Sequence, residues 1–191
     1  MLSLFIVIVG LVATVVWLRS RVRSSNGTLV VFGSGGHTAE MCVILHALRV
    51  TGSLRYEPLS FVAAETDRTS EATALANGTL IAGTRVHRLP RSREVGQSYA
   101  SSVLSTAKAI IFSLELVLRL KPRLLLCNGP GTCLPLCIAA WCLSLIGLCH
   151  TRIAFVESVC RCKSLSMTGK ILYSLRLATE VLVQWPELGQ R

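Results

Sequence analysis

Acidic residues are scarce in this chain. Ten Asp and Glu stand against 20 Lys and Arg, a formal net charge of +10 at pH 7 over 191 residues. Such an imbalance calls for an anionic partner. Aromatics are also few, at 6%, and no stacking platform, helix-turn-helix or zinc module interleaves the basic residues, so nucleic acid is not the expected partner. Anionic lipid headgroups and phosphate ligands match the charge more simply. No CxxC pair occurs among the eight cysteines. Cys160-Arg161-Cys162 is too tight for zinc-finger spacing, and Cys133, Cys137, Cys142 and Cys149 sit inside an apolar helical run, where cysteine acts as a small buried hydrophobe. Reduced, structural cysteines follow, with no metal and no cofactor expected. The absence of internal repeats and low-complexity linkers points to one domain after the N-terminal segment.

What the chain does have is an uncharged apolar start. Leu2 to Leu18 is interrupted only by Ser3, Gly10 and Thr14. As a helix it rises roughly 25 Å at 1.5 Å per residue, the short end for spanning and suited to an endoplasmic reticulum bilayer of about 27 Å. Nothing basic precedes the run, whereas Arg19, Arg21 and Arg23 follow it. A cleaved signal peptide has the opposite polarity. Basic flanks stay cytoplasmic, so residues 1–23 read as a single-pass anchor with a basic collar, and the bulk of the chain reads as cytosolic. Sequons at Asn26 and Asn77 would then remain unmodified.

Beyond the collar, short apolar runs alternate with helical patterns, the signature of βαβ units. Strands are expected at Leu29–Phe32, Leu59–Ala64, Arg85–Leu89, Leu124–Cys127, Ile153–Val156 and Val181–Val183. Helices are expected at Thr38–Val50, Ser70–Ala76, Ser98–Leu120, Thr132–Leu148 and Gly169–Leu177. In the long helix, Val103, Ala107, Ile110, Ile111, Leu114, Val117 and Leu118 form an apolar stripe, with Glu115 and Arg119 as an i,i+4 pair. Thr132–Leu148 is apolar enough to be a second span or to lie in the bilayer surface, but continuous sheet on both sides favours a helix sandwiched between the sheet and another layer. The expected fold is α/β: an N-terminal transmembrane helix followed by one doubly wound, Rossmann-like domain over residues 28–191.

In an open parallel sheet, ligands bind beyond the carboxyl ends of the strands. Four segments fall there. Gly33-Ser34-Gly35-Gly36-His37 follows the first strand and opens a helix, whose free N–H groups and dipole suit an anion such as a diphosphate. It departs from G-x-G-x-x-G because residue 38 is Thr, and a ribose-binding acid is lacking unless Glu65 or Asp67 serves. A membrane-tethered dinucleotide-binding oxidoreductase is therefore the secondary reading. His37 is open to three roles: base, phosphate contact or helix-start residue. Asn128-Gly129-Pro130-Gly131-Thr132 repeats the design after the fourth strand, with Thr132 placed to cap the next helix. Arg91 and Arg93 follow the third strand, where guanidiniums suit phosphate. Glu157, after the fifth strand, is placed to orient a hydroxyl, act as a base or cap the following segment.

Taken in order, GSGGHTAEM, PRSREVGQSY, CNGPGTCLP, VESVCRCKSLSMTGKILY and VQWPEL resemble the membrane-anchoring subunit of the eukaryotic two-part UDP-N-acetylglucosamine (UDP-GlcNAc) transferase. The resemblance runs from about Leu29 to the C-terminus. It implies a fold like the N-terminal, acceptor-binding half of a GT-B glycosyltransferase and no activity of the chain alone. It also implies two partners: a soluble UDP-GlcNAc-binding catalytic subunit, recruited to the endoplasmic reticulum membrane, and the acceptor dolichyl-diphosphate-GlcNAc. By the same likeness His37 and Glu157 are the candidate catalytic residues. Ser34, Gly35, Gly36, Arg91, Arg93, Asn128, Gly129 and Gly131 are the candidates for binding the acceptor diphosphate. Members of that family continue past the Val183–Leu188 segment in a tail implicated in gripping the partner, where this sequence stops at Arg191.

Overall fold

The computed structural model describes residues 27–53, 57–92, 99–129 and 131–189. The anchor expected over Leu2–Leu18, the basic collar and Arg93 lie outside the described residues. Six strands form one sheet: β1 Thr28–Val31, β2 Leu59–Ala64, β3 Val86–Leu89, β4 Leu124–Asn128, β5 Arg152–Val156 and β6 Glu180–Leu182. Between and after them run α1 Gly36–Val50, α2 Ser70–Ala76, α3 Tyr99–Leu120, α4 Cys133–Leu145, α5 Met167–Ser174 and the short α6 Pro186–Gly189. All pairings are parallel, in the order β3-β2-β1-β4-β5-β6. This is the doubly wound order, with its reversal point between β1 and β4.

Strands buried on both faces must be apolar at every position, which is why Leu29, Val30 and Val31 are fully buried. Side chains alternate between two cores. Val30, Phe32, Phe61, Ala63 and Leu126 face Met41, Cys42 and Leu45 of α1 and Ala74 of α2. Phe32 stacks on Phe61 with ring centroids 5.3 Å apart. Leu29, Val31, Val62, Leu125 and Phe155 face the other way, against Leu116 and Val117 of α3, Leu136 and Leu143 of α4 and Leu172 of α5. Each large side chain so buried contributes about 1.5–3 kcal/mol on leaving water.

The structure settles the ambiguous apolar helix. α4 has 13 residues, about 20 Å at 1.5 Å per residue. Leu136, Ala139, Ala140 and Leu143 are buried, and the helix packs on the sheet beside α3. No helix among the described residues is long and apolar enough to cross a membrane. Thr132 precedes α4 but makes no side-chain capping bond. The α3 stripe needs correction. Ala109, Leu116 and Val117 are buried, whereas Val103, Ile111 and Leu118 are exposed. Apolar residues occur on more than one face of this helix, so periodicity did not decide which side meets the sheet. Glu115 and Arg119 form no ion pair; Arg119 instead lies close enough to His87 to lower its pKa.

Candidate functional site

The parallel register brings the carboxyl ends of β1, β4 and β5 to one edge, with Asn128 paired to Val156. The chain leaves β1 through Gly33 and Ser34 and enters α1 at N-cap Gly35, whose φ is 68°. That left-handed turn is open to glycine without strain. No side chain caps α1, and its first turn holds no acid, so the helix's positive end is left for a ligand. Thr38 steadies the turn from beneath by donating its hydroxyl to Gly33 O.

Beyond these ends lies a cleft of about 520 Å³, lined by Ser34, Gly36, His37, Glu40, Gly129, Glu157, Ser158, Cys160, Arg161 and Ser166. Of the residues expected from sequence, it therefore gathers Ser34, Gly36, His37, Gly129 and Glu157. Gly35 stands at the helix entry and Asn128 is fully buried at the end of β4. Arg91 reaches the glycine loop, donating from Nη2 to Ser34 Oγ at 3.3 Å. Gly131 is farther round, where its carbonyl accepts from Ser92 Oγ at 2.7 Å.

The centre of the site is a network that fixes the histidine. Asn128 Nδ2 donates to Glu40 Oε2 at 2.9 Å and to Val156 O at 3.4 Å. Its Oδ1 must then be the atom 3.1 Å from His37 Nδ1. An amide oxygen only accepts, so Nδ1 carries a proton, and in the neutral ring Nε2 is the acceptor. Glu40 adds its negative charge 3.7 Å from the same Nδ1. Gly129 makes room for the ring. A Cβ there would come within 2.9 Å of Nε2 and closer to Cε1 and Nδ1, and its φ is 73°.

Glu40 was not among the residues expected. It sits three positions after His37 on α1, a spacing that faces the same side of a helix; that is the signal that could have found it. Its other oxygen accepts from Ser158 Oγ at 2.8 Å and Val159 N at 3.3 Å, tying α1 to the β5 loop. Glu157 is 1% exposed. Its Oε1 accepts from Ser158 N at 3.1 Å, and its Oε2 accepts from Ser166 N at 2.8 Å and Ser166 Oγ at 2.9 Å. Ser166 Oγ in turn caps α5 through Gly169 N. This carboxylate closes the base of the loop over residues 157–166.

Asp67, one of the two acids considered for a ribose, is used elsewhere. It is 3% exposed and accepts from Thr69 and Ser70 at the start of α2. Burial raises its carboxyl pKa, but the Ser70 hydroxyl and these N–H groups outweigh that and leave it below its ordinary value. No cluster of three metal-ligating side chains occurs among the described residues. The eight cysteines are unpaired, with Cys160 and Cys162 exposed.

A doubly wound sheet with a glycine-lined cleft at its reversal point defines a Rossmann-like α/β domain. Residues 28–191 match the family model "Oligosaccharide biosynthesis protein Alg14 like". The chain belongs to that family. It is 46% identical over 180 residues to the rat UDP-N-acetylglucosamine transferase subunit ALG14, covering 88% of this chain and 80% of the rat protein. The human subunit is 43% identical over 181 residues, with the same coverage of 88% and 80%. That of Schizosaccharomyces pombe is 34% identical over 200 residues, covering 99% of this chain and 89% of its own. Among solved structures, Acinetobacter baumannii MurG superposes with a TM-score of 0.59 at 17% identity, covering 85% of this chain and 43% of MurG. A putative UDP-N-acetylglucosamine 2-epimerase from Listeria monocytogenes gives 0.57 at 14%, covering 86% and 41%. These last two likenesses are of fold, and the chain spans less than half of either protein.

Proposed function

We propose that this chain is the membrane-anchoring, acceptor-binding subunit of a UDP-GlcNAc transferase. In this reading it adds the second GlcNAc to GlcNAc-diphosphate-dolichol on the cytosolic face of the endoplasmic reticulum, together with a soluble subunit that binds the UDP-sugar. The observation that carries the reading is membership of the Alg14-like family across residues 28–191, with curated relatives named as subunits of that transferase. No feature of the cleft favours a nicotinamide-dependent oxidoreductase, and Asp67 is engaged with α2.

The reaction then proceeds as follows. The acceptor diphosphate lies on the Ser34–Gly36 loop at the start of α1, with Arg91 beside it and Gly129 in the neighbouring wall. A hydroxyl of the acceptor sugar attacks the anomeric carbon of the donor. The new C–O bond forms as the bond to UDP breaks, and UDP leaves with the electron pair. In the neutral ring His37 Nε2, which has no partner among the described residues, takes the hydroxyl proton. Glu157 keeps the β5 loop in place as the acceptor-side wall. Stabilising departing UDP falls to the partner.

The test is co-expression with the soluble subunit, capture of the pair, and transfer from labelled UDP-GlcNAc to a lipid-diphosphate-GlcNAc acceptor. Transfer by the pair and none by either chain alone is expected. An assembled pair without transfer overturns the reading, and so does transfer by this chain alone. Loss of transfer in His37→Ala or Glu157→Ala, with the pair still assembled, supports their roles. For topology, a glycan on Asn77 would place the domain in the lumen instead.

A further inference from the structure

The loop leaving β5 carries a guanidinium that the mechanism above leaves unused. Arg161 lines the same cleft as His37, is exposed, and pairs with neither carboxylate of the cleft. Both carboxylates are already occupied, Glu40 by Asn128 and Ser158 and Glu157 by Ser158 and Ser166. Nor is the loop a slack surface segment. Glu157 clasps its two ends, Glu40 holds Val159 N, Trp185 Nε1 donates to Val159 O at 2.7 Å, and Arg161 N donates to Ser158 O at 2.9 Å. Four anchors thus set the backbone of a residue whose charge has no counterpart among the described residues. β5 lies on the far side of β4 from β1, so the loop bearing Arg161 lines the cleft across from the glycine loop.

We infer that Arg161 is a phosphoryl-binding residue, gripping the anion from the wall opposite the Ser34–Gly36 loop. A guanidinium offers a fork of donors that matches two phosphate oxygens at once. The inference rests on the transferase reading for its ligand, and the phosphoryl group has two possible sources: the lipid-linked acceptor's diphosphate or the nucleoside diphosphate of the donor.

The experiment compares Arg161→Ala, Arg161→Lys and Lys170→Ala in the assembled pair. Lys170→Ala removes one unit charge from an exposed position on α5 and keeps wild-type constants. Arg161→Ala is expected to lower kcat/KM by about ten- to a hundredfold, the range for a lost charge-assisted hydrogen bond. Arg161→Lys recovers part of that. A KM rise confined to the acceptor assigns the acceptor diphosphate. A rise confined to UDP-GlcNAc, with weaker inhibition by UDP, assigns the nucleotide. Wild-type constants for both substrates in Arg161→Ala overturn the inference. A second readout does not need transfer: inorganic pyrophosphate should raise the Tm of the full chain and fail to do so in Arg161→Ala. An equal shift in both overturns the role of Arg161, whereas a wild-type pair without transfer overturns only the transferase reading.

Discussion

Gly129→Ala separates the backbone cost of a substitution from its effect on the site. Two consequences follow from one added methyl. The first is conformational: φ is 73°, and an L-residue in the left-handed region costs about 1–2 kcal/mol. At roughly 2–4 °C per kcal/mol for a chain of this size, Tm falls by several degrees. The second is steric: the Cβ would overlap the His37 imidazole. That ring is a side chain 34% exposed, so it can swing away rather than break the fold, and the damage falls on activity. Swinging breaks its bond to Asn128 and moves Nε2 by about an ångström, a displacement that can cost about 10²-fold. Gly52→Ala is the matched control. Its φ is 64°, an added Cβ meets nothing within 4 Å, and it lies past the far end of α1. Both variants should lose similar Tm by calorimetry, but only Gly129→Ala should lose kcat/KM in the transfer assay. Equal activity in the two variants refutes the idea that the site depends on where His37 stands.

Glu157→Gln turns one accepting oxygen into an amide nitrogen that must face the donors of Ser158 or Ser166, costing about 1–3 kcal/mol. Tm should fall by several degrees, and an unchanged Tm would show that the loop is not clasped by this carboxylate. His87 is held below its ordinary pKa of 6.5 by burial and by Arg119 and Arg85, so folding resists its protonation and stability declines as pH falls from 6.5 towards the folded value. Tm measured from pH 8 to pH 5 should therefore decline less in His87→Gln than in the wild type, and parallel curves would refute this. Native protein should react rapidly with a thiol reagent at Cys160 and Cys162 only, and at all eight cysteines once unfolded; rapid native labelling of Cys127 or Cys137 would contradict the packing against α4.

The sheet was legible because its code is local. Short apolar runs bounded by Gly, Pro or charge gave all six strands to within a residue or two, and parallel order follows once helices alternate with them. The glycine loop and Asn128–Gly131 were legible for the same reason: strand, turn and helix start are contiguous. Three features were not. Glu40 matters because it meets Asn128, 88 positions away, and nothing in the local pattern marks that meeting. The clasp of Glu157 on Ser166 spans nine positions through a loop with no repeating geometry to extrapolate. In α3 the pattern misled, since apolar residues at Val103, Ile111 and Leu118 obey helical period yet face outward. Burial there is decided by what packs against the helix, a tertiary fact.

The two carboxylates of the cleft bear on how such a half-site works. An anionic acceptor should be repelled by Glu40 and Glu157, yet both are committed to N–H and O–H donors that spread their charge. Their effect is mechanical: each joins elements distant in sequence and so fixes the groups that do face the ligand. Glu40 fixes His37 through Asn128, and Glu157 fixes the loop bearing Arg161. If either were removed, the cleft would gain positive potential and lose its geometry. Affinity for a diphosphate would then fall less than turnover, because electrostatic attraction tolerates displacement and proton transfer does not. Glu40→Gln is the variant in which that separation should be clearest. Asn128 Nδ2 would face an amide that can still accept, but the charge beside His37 Nδ1 would be gone. A fall in kcat with KM for the acceptor held, and a shift in the pH profile, would follow from the network. A proportional rise in KM alone would mean that Glu40 serves only to shape the pocket.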